Sequence, residues 1–465
     1  MEKDIVMGGR WNILGKKYDG ELIFNRTNGI ILLDVHYIDQ SEFFTWYNKD
    51  RIISEITGIT NQQVKCILTD CTVEKMHSTN FVRHQIVIRA KSLFWGLTKR
   101  KKQTIKFNEI KFELSGIFQW SKLNGFEIND EPEYKLQLGY KFKDKVSVKI
   151  DDNTTIEFVP VLGGFKYDTL VEDIHLSQFV YISIIKEKPE FYENFFDDLN
   201  KVINMVMLAT NNKVNIQKIN CFDYNKYNLI GKTKDYYKYE MISHNMKIDD
   251  TLEYRSSDSI YYLFDLPELC NEGKINNWFK TYEQYKSIYE LYLLGIKNNI
   301  PLEIRFSNLM QALELIHSIK YNKKKKFINH IEEKFKDNPN LIDEIINNED
   351  QKESPYIILR SRLIDLFDNP FELTYKTSIY NNIIKFCDVL TDSRNYYTHY
   401  NESKRNKCVV KENLLNSIYV LRYIVSCYIL ENLGFSIEYI NKKNESEVNL
   451  FDRDNVIDKI VENKR

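Results

Sequence analysis

The chain has 465 residues, 43% of them hydrophobic and 14% aromatic, with a formal net charge of −1. That length and apolar content suffice for two or three domains with ordinary cores, and the near-neutral charge excludes a global field drawing the chain to nucleic acid or membrane. Seven scattered cysteines without a C-x-x-C pair argue against a disulfide framework or a zinc site, so no metal or other cofactor is expected.

The opening Met1-Glu2-Lys3-Asp4 lacks a signal-peptide layout, and no apolar run reaches the ~18 residues that span a bilayer. A soluble, cytoplasmic protein is the expectation. The first ~165 residues read as strands and turns. Gly8-Gly9-Arg10-Trp11 leads into Tyr18-Asp19-Gly20-Glu21-Leu22, and Asn28-Gly29 before Ile30-Ile31-Leu32-Leu33 is a strong hairpin signal. Phe81–Arg89 and Lys145–Ile150 alternate in part, and Asp151-Asp152-Asn153 makes a turn before Thr155–Pro160. An antiparallel sheet, sandwich or open barrel follows. Lys99-Arg100-Lys101-Lys102 reads as a solvated loop, and His77 and His84 near Cys66 and Cys71 form no zinc spacing. Residues 191–208 read as a helix on the sheet, and 214–265 return to short aromatic and β-branched runs.

From about 275 the apolar period becomes helical. Trp278, Tyr282, Tyr285, Tyr289 and Tyr292 form one aromatic stripe, and Leu302, Phe306, Leu309, Leu313 and Ile316 a second seam. Glu314 and His317 lie beside that seam, facing either a neighbouring helix or, as the better expectation, solvent. Lys323–Lys326 is either a positive field that steers RNA, with Lys324 and Lys325 as contacts, or a solvated helix C-terminus. Ser354-Pro355 reads as N-cap and N1 of a helix carrying Leu359, Leu363 and Phe367, which Asn369-Pro370 ends. Ile379, Ile383, Cys387, Leu390 and Arg394 fall on one stripe, and a last helix holds Leu414 to Ile429 with Gly434 as its stop. Residues 441–465 read as a charged, loosely held tail.

The stretch Ser393-Arg394-Asn395-Tyr396-Tyr397-Thr398-His399-Tyr400 carries the chemistry. Arg394 keeps its charge and offers a planar fork to a phosphate or a developing oxyanion, while His399 titrates near neutrality and can move a proton. Together they cover much of what RNA cleavage without a metal requires. Asn395 shares a helix face with His399 and can orient it or touch the substrate. Arg394 and His399 lie ~140° apart on an ideal helix, so a cleft between helices or a second copy of the helix must bring them to one atom. Tyr396 and Tyr397 can stack a base or pack in a core, and Lys404 and Arg405 stand in a polar, basic loop beside them.

This string resembles the R-x(4–6)-H signature of HEPN domains, and especially the ApeA-like branch found in antiphage (abortive infection) proteins. Gly9-Arg10-Trp11, Gly20-Glu21-Leu22 and Leu32-Leu33-Asp34 resemble the start of ApeA-type N-terminal domains. The resemblance implies a helical domain that forms a homodimer or a higher oligomer, and a metal-independent endoribonuclease acting on RNA such as tRNA loops, leaving 2′,3′-cyclic phosphate. It implies Arg394 and His399, with Asn395, as the catalytic set, and an N-terminal module that senses a phage-derived trigger. The competing reading is a non-catalytic HEPN dimerisation or RNA-binding scaffold. The expected architecture is α+β and multidomain: a β-rich antiparallel module over 1–272, either in one piece or as two subdomains split near 165, an all-α HEPN-like domain over 273–440, and the tail. No P-loop or G-x-G-x-x-G motif supports a nucleotide-binding enzyme.

Overall fold

The computed structural model describes residues 4–25, 28–36, 52–79, 83–97, 104–131, 135–163, 177–246, 262–297, 299–347, 349–371, 380–400, 402–448 and 456–462. The chain divides near residue 267 into a β-rich unit and a helical unit.

In the first unit, β1 (Ile5–Ile13) and β2 (Lys16–Asn25) form a hairpin about Leu14 and Gly15, both at positive φ. Such a turn matches the twist of the flanking strands. The Asn28-Gly29 signal holds: β3 (Ile30–Val35) pairs back on β2, with Gly29 at φ +67. A Cβ at Gly29 would lie 2.4 Å from the Ser243 carbonyl, so this turn needs glycine on both counts.

Next come β4 (Ile52–Thr60), β5 (Lys65–Thr79), β6 (Arg83–Arg89), β7 (Ser92–Trp95) and β8 (Lys106–Leu114), then the short α1 (Ile117–Ser121). After it run β9 (Phe126–Glu131), β10 (Lys135–Tyr140), β11 (Val146–Lys149), β12 (Thr154–Leu162) and β13 (Gln178–Phe191). The unit closes with α2 (Tyr192–Thr210), β14 (Ile216–Ile230) and β15 (Thr233–Ser243).

Among the described residues one sheet has the order β11-β12-β13-β8-β14-β15-β7-β5-β4-β1-β2-β3-β6, and β6 also pairs with β5. β5 makes this possible. Its first half pairs with β4 and β7, and from Thr72 onward, across an irregularity between Val73 and Lys75, it pairs with β6. The stretch β5-β4-β1-β2-β3-β6 is thereby closed into a barrel and β7 onward extends from it. Trp11, Leu22, Phe24, Ile31, Leu33, Ile86 and Ile88 are buried, in the alternation a closed sheet imposes. α2 buries Phe195, Leu199, Val202 and Met205; at its start Tyr192 packs edge-on to Phe94 at 5.1 Å.

A division near 165 is not present. β12 pairs with β13, β8 with β14 and β7 with β15, so strands from both sides of that position interleave in one sheet. The basic cluster at 99–102 lies outside the described residues, as do Phe81 and Val82. His77 is exposed and His84 buried, in neighbouring rows of the β5–β6 ladder that point to opposite faces.

The helical unit contains α3 (Leu266–Cys270), α4 (Lys274–Ile296), α5 (Leu302–Lys320), α6 (Lys324–Lys334), α7 (Pro339–Ile346), α8 (Glu349–Glu353) and α9 (Leu359–Phe367). It continues with α10 (Tyr380–His399), α11 (Lys411–Leu433), α12 (Ile437–Val448) and α13 (Val456–Glu462). α4, α5 and α11 pack together, and α9 and α10 lie on α5. In the aromatic stripe of α4, Trp278, Tyr282, Tyr289 and Tyr292 are buried and Tyr285 is half-buried, with Trp278 stacked on Tyr289 at 4.5 Å. At Gly295 the backbone of α4 meets Leu309 so closely that a Cβ would stand 2.6 Å from its Cγ. Gly434, at φ +93, ends α11 as expected.

Four sequence expectations change here. α9 starts at Leu359, not behind Ser354-Pro355, because Ser354 Oγ accepts the Tyr356 N–H and buried Gln351 bonds both Tyr356 O and the Ile358 N–H, holding that segment out of the helix. The lysine run opens α6 rather than ending a helix, since α5 stops at Lys320. The loose tail gives way to α12 and α13. Val456, Ile457, Ile460 and Val461 repeat at helical spacing and are buried, α13 packs on α10, and Asn382 donates to Asp458 at 2.7 Å. Finally, α11 is long and apolar enough to cross a membrane, yet 72% of that window is buried inside the protein.

Candidate active site

α10 presents the motif. Its stripe runs through buried Ile383, Cys387 and Leu390 to Arg394, so the apolar face carries the arginine stem to the edge of the core. Ile379 lies outside the described residues. One step away, fully buried Ser393 donates to Val389 O and accepts the Val409 N–H at 2.8 Å. Tyr397, four residues on, donates to Val409 O at 2.5 Å. Both backbone groups of Val409 are thus taken by one face of α10, which clips the returning chain against the helix. Burial raises the Tyr397 hydroxyl pKa, and its ring stands edge-on to Phe306 at 5.9 Å. Tyr397 is therefore a packing pillar. Tyr396 is half-buried, with ring centroids 5.3 Å from Tyr397 and 6.2 Å from Tyr400.

Arg394 is held. Its Nε donates to Glu314 Oε1 of α5 at 3.1 Å, with side-chain exposures of 22% and 25%, so the pair sits at the boundary between core and solvent. The backbone oxygen of Glu314 accepts the Ser318 hydroxyl at 2.7 Å and Arg362 Nη1 at 3.3 Å, which fixes this turn of α5. Burial lowers the Arg362 pKa, and the nearby Glu314 charge opposes that shift. Glu314 thus lies between two guanidinium groups. It faces the motif helix rather than solvent.

His317, one turn along α5, goes the other way. It is fully buried, with Nε2 3.5 Å from Asp365 Oδ2, an electrostatic contact longer than a good hydrogen bond. Asp365 also meets His330 Nε2 and Lys334 Nζ, each at 2.9 Å. Burial alone would raise the Asp365 carboxyl, but the two imidazoles and the Lys334 ammonium hold it well below the usual carboxylate range. This cluster ties α5, α6 and α9 together beneath Glu314.

His399 is the last residue of α10 and is exposed. Tyr400, at φ 49 and 74% exposed, turns the chain away, its N–H bonding Tyr396 O at 2.6 Å. Asn395 is half-buried on the same helix. A short 3₁₀ segment, Glu402–Lys407, follows; Lys404 pairs with Asp392 at 2.7 Å, and Arg405 is exposed. Arg394, Asn395, Tyr396, Tyr397, His399, Lys404 and Arg405 therefore belong to one helix and the turn after it. Lys324 does not join them. Its Nζ donates to Gln351 O and Ser354 O, both at 2.6 Å, and so staples α6 to the α8–α9 connection, while Lys325 is exposed. Those two carbonyls compensate a cation placed at the positive end of α6.

The arrangement can do specific chemistry. One of the five guanidinium donors, Nε–H, meets a carboxylate, leaving the Nη groups to face an anion, while an imidazole stands in water at the end of the same helix. By helical geometry Arg394 and His399 diverge by ~140°, so one copy of α10 does not converge them. For Glu314 the structure takes the helix-facing alternative over the favoured solvent-facing one, because its partner is distant in sequence.

The chain matches the family model described as ApeA N-terminal domain 1 over residues 7–278 and the model described as Apea-like HEPN over residues 307–439. No curated protein and no solved structure matches it.

Proposed function

Because the chain belongs to the ApeA-like HEPN family, an antiphage nuclease family, we propose that it is a metal-independent endoribonuclease that cuts single-stranded RNA such as tRNA loops. The single observation that carries this is Arg394 anchored through Nε by Glu314 while His399 stands exposed in the last turn of the same helix. Two copies of α10 about a two-fold axis supply what one lacks. The imidazole of one His399 takes the ribose 2′-proton as the 2′-oxygen attacks phosphorus. The free donors of Arg394 stabilise the dianionic phosphorane, and the imidazolium of the other His399 gives a proton to the departing 5′-oxygen. The products are a 2′,3′-cyclic phosphate and a 5′-hydroxyl. Asn395 orients the histidine or the substrate, and Lys404 and Arg405 flank the RNA path. The N-terminal unit restrains the nuclease until a phage-derived trigger arrives, in the cytoplasm.

The rival reading, a non-catalytic HEPN scaffold, draws on the same Arg394–Glu314 pair as an interface ion pair. Purified protein incubated with total tRNA in EDTA, beside Arg394→Ala and His399→Ala, separates the two, with a parallel run in phage-infected extract to supply the trigger. We expect cyclic phosphate ends from wild type and a loss of at least about 100-fold in either variant. Equal cleavage by all three, or silence from all three in both media, supports the scaffold.

A further inference from the structure

The distal half of the β14–β15 hairpin leaves the sheet. From Asn225 to Lys238 its residues are exposed or half-buried on both faces, and burial resumes only at Tyr239. The register shifts between Phe222 and Tyr227, where the ribbon departs, and then runs Tyr227↔Tyr236, Asn228↔Asp235, Leu229↔Lys234 and Ile230↔Thr233. Gly231, at φ +63, begins the tip turn. Such a projection orders its residues without adding to the core, so its contribution to stability is small.

Its chemistry is uniform. Between Tyr224 and Lys238 lie Lys226, Lys232, Lys234 and Lys238 against one acid, Asp235, in a chain whose net charge is −1. One face carries a tyrosine ladder: Tyr224 to Tyr236 with centroids 4.6 Å apart, and Tyr236 to Tyr227 at 6.0 Å. Lys234 Nζ sits 4.5 Å over the Tyr227 ring, and Lys238 follows Tyr236 on the same face. Tyr224 is anchored by its hydroxyl, which donates to Glu109 at 2.9 Å, so the ladder is fixed at the base and open towards the tip. On the other face Tyr237, 46% exposed, is held by its hydroxyl donating to Asn228 at 2.9 Å. Rings presented in a row beside ammonium groups suit a partner with flat bases and a phosphate chain.

We propose that this ribbon is a binding surface for single-stranded RNA, additional to the Arg394/His399 site. Unpaired bases stack along Tyr227 and Tyr236, and Lys232, Lys234 and Lys238 meet the phosphates. The choice of RNA rests on the nuclease reading; the charge and the ladder do not. A duplex hides its base faces and keeps only the electrostatic part.

The test uses the full chain and a labelled single-stranded 2′-O-methyl oligonucleotide, which lacks the attacking hydroxyl and so reports binding whether or not the protein cleaves. Fluorescence anisotropy is read at several salt concentrations for wild type, for K232E/K234E/K238E, for Y227S and for R394A, with circular dichroism to check folding. The expected result is at least about tenfold weaker binding by the triple variant, with a salt slope smaller by about 2, and weaker binding by Y227S at unchanged slope. Any affinity that R394A loses belongs to the Arg394/His399 site, so the ribbon is scored by the triple variant and Y227S. Wild-type affinity and slope in the folded triple variant overturn the proposal, as does no RNA binding by wild type. Binding to vesicles of anionic lipid without binding to the oligonucleotide overturns it in favour of a membrane surface. Cleavage of unmodified RNA by wild type and R394A, run in parallel, fails or succeeds independently and reports on the nuclease alone.

Discussion

Glu314 decides how Arg394 is presented. A carboxylate with about a quarter of its side chain exposed adds little stability through one ion pair, on the order of 0–1 kcal/mol after solvent screening. Its effect should be on geometry. Glu314→Gln keeps an acceptor for Nε and Glu314→Ala removes it, so single-turnover cleavage should fall about tenfold in the alanine variant and less in the glutamine variant. The melting temperature should stay within a few degrees of wild type. Equal rates in all three would show that Arg394 needs no such support. The place of Arg394 was legible in the sequence, as the continuation of the Ile383–Cys387–Leu390 stripe, and so was that of His399 near a helix end. Glu314 is visible beside its seam but expected to face solvent, because an ion pair between positions 314 and 394 exists only after α5 and α10 pack. The same limit applies to Tyr397, whose stacking and packing roles have one sequence signature and are separated only by the Val409 carbonyl it meets.

At the scale of elements, Asp365 is the joint on which α5, α6 and α9 turn. It accepts from His330 and Lys334 and faces His317 while only 6% exposed. Removing its charge takes the carboxylate from two imidazoles and one of the two carboxylates from the Lys334 ammonium, which Asp368 still meets at 3.2 Å, so Asp365→Asn should cost about 1–3 kcal/mol in urea unfolding at neutral pH. The pH dependence has a definite sign. The folded Asp365 pKa is depressed, so the unfolded chain binds its proton first as pH falls. The stability it contributes is complete above the ordinary carboxylate value, ~4, and is lost below it. The deficit of the variant should therefore close as pH drops under ~4, and a deficit below about 1 kcal/mol at neutral pH would rule the joint out. Elements whose signals are local were read correctly, as at Asn28-Gly29 and Gly434. Those whose ends depend on distant contacts were not: α9 waits for Gln351 to release the chain, and α13 is helical because α10 offers it an apolar face.

At the scale of the molecule, the helical period after residue 275 separated two kinds of structure, and the continuous sheet then removed the division near 165. Sheet order was beyond sequence reading, because β5 serves β4, β6 and β7 with different parts of one strand. The same scale holds the sharpest consequence of the motif. On the proposed mechanism one imidazole of the dimer is the base and the other the acid, so a dimer with a single His399 should not cut. Exchanging wild type with an equal amount of H399A makes about half of the dimers mixed and leaves about a quarter with both imidazoles, so cleavage should fall to about half of that given by the same wild-type protein unmixed. R394A exchanged with H399A should stay as silent as either alone, because each mixed dimer holds one imidazole. Undiminished cleavage in the first mixture, or return of about a quarter of wild-type cleavage in the second, would show that one histidine serves each site.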